Sequence, residues 1–346
     1  VTDEERMRQA FDAAAGVRRR VAPRPWVGAV VVPADDPDGP GIVGATDGRE
    51  GPHAEIVALR AAGSAAKGAT LFCTLEPCSH HGRTPPCADA VIAAGISRVV
   101  VAIEDPDPHV SGRGLARLAD AGIEVQVGVG EAFVREQLRP YLHHRRTGRP
   151  FVILKLAATI DGRTAAPDGS SQWITGPTAR EDAHRLRADS DAVLVGAGTV
   201  RADDPSLTVR LPAGEADGVE PLRVVLGRAP AGAKVHPALE LGGDLDAVLA
   251  ELGARGVLQL LVEGGAQVAH QFHTAGLVDR YVFYLAPALM GGDDAPGLFS
   301  GPAAASIEYL WRGDIVNLCR LGDDLRIDLE PRRGSAEGTI GQVGGC

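Results

Sequence analysis

Short apolar runs rich in β-branched residues recur along this chain, and helical patterns fill the stretches between them. Up to residue 130 the runs "VGAVVV", "GIVGAT", "ATLFCTL", "SRVVVAI" and "IEVQVGV" alternate with helical segments at the amino terminus, from His53, from Cys87 and over "GLARLADAG". A run of about four to eight apolar residues between turn formers reads as a strand buried on both faces, and an interposed helix is the connection that parallel neighbours need. Layered α/β architecture follows. The basic stretch "HHRRTGRP" at 143–150 interrupts the alternation, and a second series starts with "FVILKLAATID". It continues through helix "TAREDAHRLRADS", strands "DAVLVGA" and "LRVVL", helix "LDAVLAELGARG", strand "VLQLLVE", a helix opened by Gly264 and Gly265, and strand "RYVFYLAPAL". A boundary at this break gives a first domain over 1–146 and a second over 147–335, each long enough for its own core. Residues 336–346 lack apolar periodicity and are expected to be mobile.

Charge and cysteine usage narrow the function. The net charge of −10 and the 4% of aromatic residues disfavour a general nucleic-acid binder, which needs a basic face and stacking platforms. The opening "VTDEERMRQAFDAAAG" has no apolar core of a leader, and no stretch approaches the length of a membrane span, so a soluble cytoplasmic protein without a membrane partner is expected. Five cysteines, Cys73, Cys78, Cys87, Cys319 and Cys346, make an odd and scattered set, unlike a secreted disulfide framework. Metal binding or burial is the expectation.

"PHAE" and "EPCSHHGRTPPC" hold the metal chemistry. His53 and Glu55 stand two apart at a helix start, and Cys87 opens a second helix after eight intervening residues from Cys78. Positive partial charge at a helix start favours thiolate over thiol. One neutral imidazole and two thiolates balance Zn²⁺ and leave a fourth position for water. Glu55 is then the proton shuttle rather than a ligand. This order of residues is the signature of zinc deaminases. A closed structural zinc, or plain burial of the cysteines, is the competing reading, and Cys73 inside its apolar strand reads as a small core hydrophobe. The long loop between the ligand cysteines brings His80, His81 and Arg83 near the metal, which suits a substrate with a distant phosphate; for His81 a solvated loop residue is the preferred reading.

"TLEPCSHHGRTPPC" and "EDPDPHVSGRG" closely resemble the deaminase half of the bifunctional riboflavin-biosynthesis deaminase–reductase family. "LKLAATIDGRTA", "GSSQWITGPTAREDAHRLRADSDAVLVGAGTVRADDPSLTVR" and "LLVEGGAQVAHQF" are similar to its reductase half. The resemblance implies a cytidine-deaminase-like three-layer domain followed by a dihydrofolate-reductase-like domain, with Zn²⁺ and NADPH as cofactors and a homo-oligomeric assembly. It implies deamination of a diaminopyrimidinone bearing ribose 5-phosphate, then reduction of the ribosyl group to ribityl. By motif match Asp105 faces the base, while His80, Arg83 and Arg113 face the ribose phosphate. In the second half Ala157, Ser171, Trp173, Thr199, Asp203, Gly265, Ala266, Gln267, Val268, Ala269, His270 and Gln271 correspond to NADPH contacts. Lys155, Ser171, Arg187, Leu207, Arg210 and Glu263 correspond to substrate contacts. Arg187 and Arg210 suit phosphate, since a guanidinium offers paired donors; surface ion pairs for the arginines and a core position for Trp173 are the plainer readings.

The chain departs from the family pattern twice. Arg24 in "PRPWVGAV" stands where the family usually has Asn, and "TDGREGPHAE" lacks the His that usually precedes "PHAE". These departures motivate an alternative, an active reductase whose first domain is altered in substrate or serves as a zinc-stabilised scaffold. A nucleic-acid base deaminase ranks last, on charge and aromatic content.

Overall fold

A computed structural model describes residues 1–80, 85–107, 110–212 and 219–332. The chain runs through α1 (Asp3–Ala15), α2 (Arg18–Val21), β1 (Gly28–Val32), β2 (Ile42–Ala45), α3 (Ala54–Ala62), β3 (Thr70–Leu75), α4 (Cys87–Ala93) and β4 (Arg98–Ile103). There follow α5 (Arg113–Asp120), β5 (Glu124–Val127), α6 (Glu131–Gln137) and α7 (Arg139–Thr147). Next come β6 (Phe151–Thr159), α8 (Pro177–Ala188), β7 (Ala192–Gly196), α9 (Ala197–Asp203), β8 (Leu222–Leu226), β9 (Leu239–Leu241) and α10 (Leu245–Ala254). The last elements are β10 (Gln259–Val262), α11 (Ala266–Thr274), β11 (Arg280–Ala286), β12 (Gly313–Leu321) and β13 (Asp324–Pro331).

Two compact units result. The first comprises Val1–Phe151 together with Gly214–Val219 and Asp246–Gln259, and the second Val152–Ala213, Glu220–Leu245 and Leu260–Cys346. Nearly all of α10 thus falls in the first unit, where Leu258 joins the core.

The first unit's sheet has the order β2-β1-β3-β4-β5. β1 is antiparallel to both β2 and β3, whereas β3, β4 and β5 run parallel. The continuous apolar runs "GAVVV" and "VVVAI" are buried along their length, as strands covered by helices on both faces must be. Functional residues gather where β3 and β4 end, because in an open α/β sheet ligands bind outside the carboxyl ends of parallel strands.

The second unit's sheet has the order β12-β13-β11-β6-β10-β7-β8-β9. Parallel pairing links β11 to β6, β10 to β7, β7 to β8 and β8 to β9, while β12, β13 and β11 pair antiparallel. Among the described residues no helix is long and apolar enough to cross a membrane.

Candidate active sites

His53, Cys78 and Cys87 meet. Their donor atoms all lie within 4.8 Å of one another. His53 is the N-cap of α3 and Cys87 the first residue of α4, as the sequence suggests. Cys78 differs: it lies in the loop after β3, and its sulfur reaches the start of α4 only in space, accepting the Cys87 amide at 3.4 Å. His53 Nδ1 is 3.2 Å from Cys87 Sγ and 3.6 Å from Cys78 Sγ. Tetrahedral Zn²⁺ with Zn–S near ~2.3 Å and Zn–N near ~2.0 Å requires N···S edges of about 3.5 Å, so the three donors fit that ion.

The electrostatics agree. A hydrogen bond from the Cys87 thiol pulls the Cys78 thiol down to about 4, and the same bond, with burial, pushes Cys87 up. The sulfurs hold one negative charge readily and a second only against a cation. His53 is raised by its bond with Cys78. Cys73 stays inside β3, fully buried, with its thiol pushed well up by desolvation and no part in the cluster.

Glu55 is only 3% exposed. Burial pushes its carboxyl up, against the pull of His53. A cavity of about 350 Å³ opens over these residues and is lined by His53, Glu55, Cys78, His80, Asp105 and Tyr141, among others. Of the residues matched to the ribose phosphate, His80 lines it, Arg113 is an exposed residue at the start of α5 outside the lining, and Arg83 lies outside the described residues.

In the second unit Thr199 and Gly265 come together at the carboxyl ends of the adjacent parallel strands β7 and β10, where the Gly265 amide donates to Thr199 Oγ1 at 3.1 Å. No side chain caps α11, so its first-turn amides are free to receive an anionic group such as a pyrophosphate. The two glycines divide the labour. A Cβ on Gly264 would sit 2.6 Å from the Val268 side chain, so that glycine serves packing; at Gly265 the nearest neighbour is Thr199 Oγ1 at 3.3 Å. Val268 and Ala269 turn into the core, while Ala266, Gln267, His270 and Gln271 remain at least partly accessible. Ala157 and Ser171 are half-buried and Asp203 ends α9. Trp173 is no core residue: it is 65% exposed, with the Arg180 guanidinium 4.6 Å from its ring centre.

The substrate-matched residues converge on an ion pair. Arg187 donates to both Glu263 oxygens at 2.9 and 2.8 Å and to the Thr208 carbonyl at 2.6 Å. Burial alone would raise the Glu263 carboxyl, yet Arg187 and Lys155 outweigh it and hold the group below the usual range. His184, which sequence reasoning passed over, accepts the Arg210 amide at 3.3 Å on Nδ1; burial, then Arg187 and Arg210, push it down to about 4, so it is neutral. Lys155 Nζ lies 5.9 Å from the Tyr284 ring centre. Leu207 is buried with φ at 52°, a left-handed conformation that costs a leucine about 1–2 kcal/mol.

The cytidine and deoxycytidylate deaminase zinc-binding region matches residues 1–103, and the RibD C-terminal domain matches residues 150–326. The riboflavin biosynthesis protein RibD of Bacillus amyloliquefaciens is 40% identical, covering 96% of this chain and 97% of the relative. The RibD of Escherichia coli K12 is also 40% identical, with 94% and 99% covered.

The chain belongs to the RibD family.

Solved structures agree with that membership. Acinetobacter baumannii RibD superposes with a TM-score of 0.89 at 36% identity, over 96% of this chain and 99% of that one. A Thermotoga maritima diaminohydroxyphosphoribosylaminopyrimidine deaminase/5-amino-6-(5-phosphoribosylamino)uracil reductase gives 0.84 at 34% identity, over 95% and 98%. Arg24 and the loop before His53, the two places singled out in the sequence, are joined in the structure. Arg24 lines the cavity, and its guanidinium donates to the Gly48 and Gly51 carbonyls at 3.2 and 2.9 Å, within the short loop that leads into His53.

Sequence reasoning also missed Glu76, Tyr141 and Arg145, all on the cavity wall. Tyr141 and Arg145 ride on α7, which runs into the basic stretch 143–150. Leu138, Tyr141 and Leu142, spaced three and four apart and buried, were the signal.

The ligand assignment predicts one zinc per chain by elemental analysis, and its loss from Cys78→Ser. Stoichiometric zinc in that variant would overturn it.

Proposed function

We propose that the chain carries out two consecutive steps of riboflavin biosynthesis. The first is hydrolysis of 2,5-diamino-6-(5-phosphoribosylamino)pyrimidin-4-one to 5-amino-6-(5-phosphoribosylamino)uracil and ammonia; the second is NADPH reduction of the ribosyl group to ribityl. One observation carries the reading: a buried carboxyl group, Glu55, lines the same cavity as His53 and Cys78 of a His-Cys-Cys donor set that it does not join.

His53, Cys78 and Cys87 would hold Zn²⁺, which would supply Lewis acidity for the hydrolysis. Glu55 takes the water's proton and returns it to the departing nitrogen. Asp105 and His80 orient the base and the ribose phosphate. In the second unit NADPH supplies the hydride when bound against Thr199, Gly265 and the start of α11. Arg187, Arg210, Lys155 and Glu263 hold the phosphoribosyl group in register with it. The proposed domains are 1–146 for deamination and 147–335 for reduction, with Asp246–Gln259 built into the first unit. The tail 336–346 lies outside the described residues.

We also propose a cytoplasmic homo-oligomer. β12 is an edge strand of the eight-stranded sheet, and Ile315, Val316 and Leu318 on it are 65%, 47% and 61% exposed. Monomeric proteins blunt such edges with charge, so this exposed apolar edge supports the reading, with two copies pairing isologously along β12. Light scattering of the parent chain should give a dimer or larger, and Ile315→Lys with Leu318→Glu a smaller species. A monomeric parent would end this proposal.

A further inference from the structure

Asp105 follows β4 into the cavity, is almost fully buried, and is held by Tyr141, Asp107 and Glu76. Tyr141 Oη donates to its carboxylate, 3.1 Å from Oδ2 and 3.3 Å from Oδ1, while the Asp107 amide donates to Oδ1 at 2.9 Å. Its backbone is held by Glu76. One oxygen of the Glu76 carboxylate accepts the amides of Asp105 and Gly112 at 3.2 and 3.0 Å, and the other accepts those of Gly114 and Leu115 at 2.8 and 3.4 Å. Four amides on one buried carboxylate join the end of β4 to the start of α5. The join is tight: a Cβ on Gly114 would come within 2.0 Å of the Pro77 carbonyl, next to the ligand Cys78.

An ionised carboxylate has about four acceptor positions. Tyr141 and the Asp107 amide leave acceptor capacity on Asp105, mainly on Oδ2, for N–H groups of a bound base. Neither Tyr141 nor Glu76 has a part in the hydrolysis itself. Both line the cavity, yet their hydrogen bonds are directed to Asp105 and its flanking backbone.

We propose that Glu76 and Tyr141 are positioning residues for the deamination, fixing Asp105 from its backbone and its carboxylate so that it presents one orientation to the pyrimidine. This rests on the reading that Asp105 meets the base. Without either contact the carboxylate rotates or the strand end shifts, and binding weakens before chemistry does.

The test is steady-state ammonia release by the full-length, zinc-loaded chain with the diaminopyrimidinone ribotide. Tyr141→Phe and Glu76→Gln should each raise KM about 10-fold with kcat within about threefold, the loss expected for one charge-assisted hydrogen bond acting on binding. Asp105→Asn should raise KM at least as much. Adding Tyr141→Phe to Asp105→Asn should then raise KM no further, because the two changes act through one group. An unchanged KM in Asp105→Asn removes the reading of Asp105 and this proposal with it. A raised KM there, with Tyr141→Phe at the parent value or fully additive, removes the proposal alone. Tyr141 stands on α7 and its hydroxyl bonds Asp105, not the loop that carries Cys78, so it decides the matter even where Glu76→Gln sheds zinc.

Discussion

Glu55→Gln is expected to keep zinc and fold while losing ammonia release by about 100-fold or more, the scale on which a general acid–base group contributes. The amide fills the same buried space but can neither accept the proton of water nor return it to the leaving nitrogen. Burial raises the parent carboxyl, against the pull of His53, and so favours the protonated form that returns the proton to the leaving nitrogen. Reduction of the uracil ribotide should proceed at the parent rate, since every residue matched to that step lies beyond residue 154. Zinc content, ammonia release and NADPH oxidation, measured on one preparation, separate these effects. Ammonia release at the parent rate would remove Glu55 from the shuttle role.

Glu263→Ala should be the most damaging single change in the second unit. It leaves the Arg187 guanidinium buried with only the Thr208 carbonyl among its hydrogen-bond acceptors described above. Removing one partner of a buried ion pair costs about 3–5 kcal/mol, whereas replacing both by apolar residues of similar volume is often near neutral. For a unit of this size that loss corresponds to a fall in Tm of about 6–20 °C. Glu263→Leu combined with Arg187→Met should recover most of the loss yet leave reduction abolished. Calorimetry and NADPH oxidation on the two variants distinguish support of the fold from contact with substrate; a double variant that still reduces the ribotide at the parent rate would show that the pair serves stability alone.

Much of the fold could be read because its strands are buried on both faces. "VVVAI" around residue 100 and "AVLVG" before residue 197 announce themselves without a partner. The β12–β13 hairpin did not, since β12 is mostly exposed and its apolar residues show no pattern that burial would impose. α7 was hidden for the opposite reason: Arg145, Arg146 and two histidines masked a short buried stripe of Leu138, Tyr141 and Leu142. The zinc donors were legible because their residue types and order are rare in any other role. Cys78 shows the limit of that reading, as its tie to a helix start is made through space by the Cys87 amide. Glu76, Tyr141 and His184 act through contacts 26 to 39 residues away in sequence, which no local pattern encodes.

The central claim is that one chain removes an amino group and then reduces a ribosyl group. Incubation of the whole protein with the diaminopyrimidinone ribotide, without and with NADPH, and identification of the products by mass, tests it most directly. The expected result without NADPH is the uracil ribotide, with one amino group replaced by oxygen and one ammonia released. With NADPH the expected product is its ribityl form, two hydrogens heavier. Ribotide unchanged in both incubations, or a ribityl product that keeps both amino groups, would contradict the account.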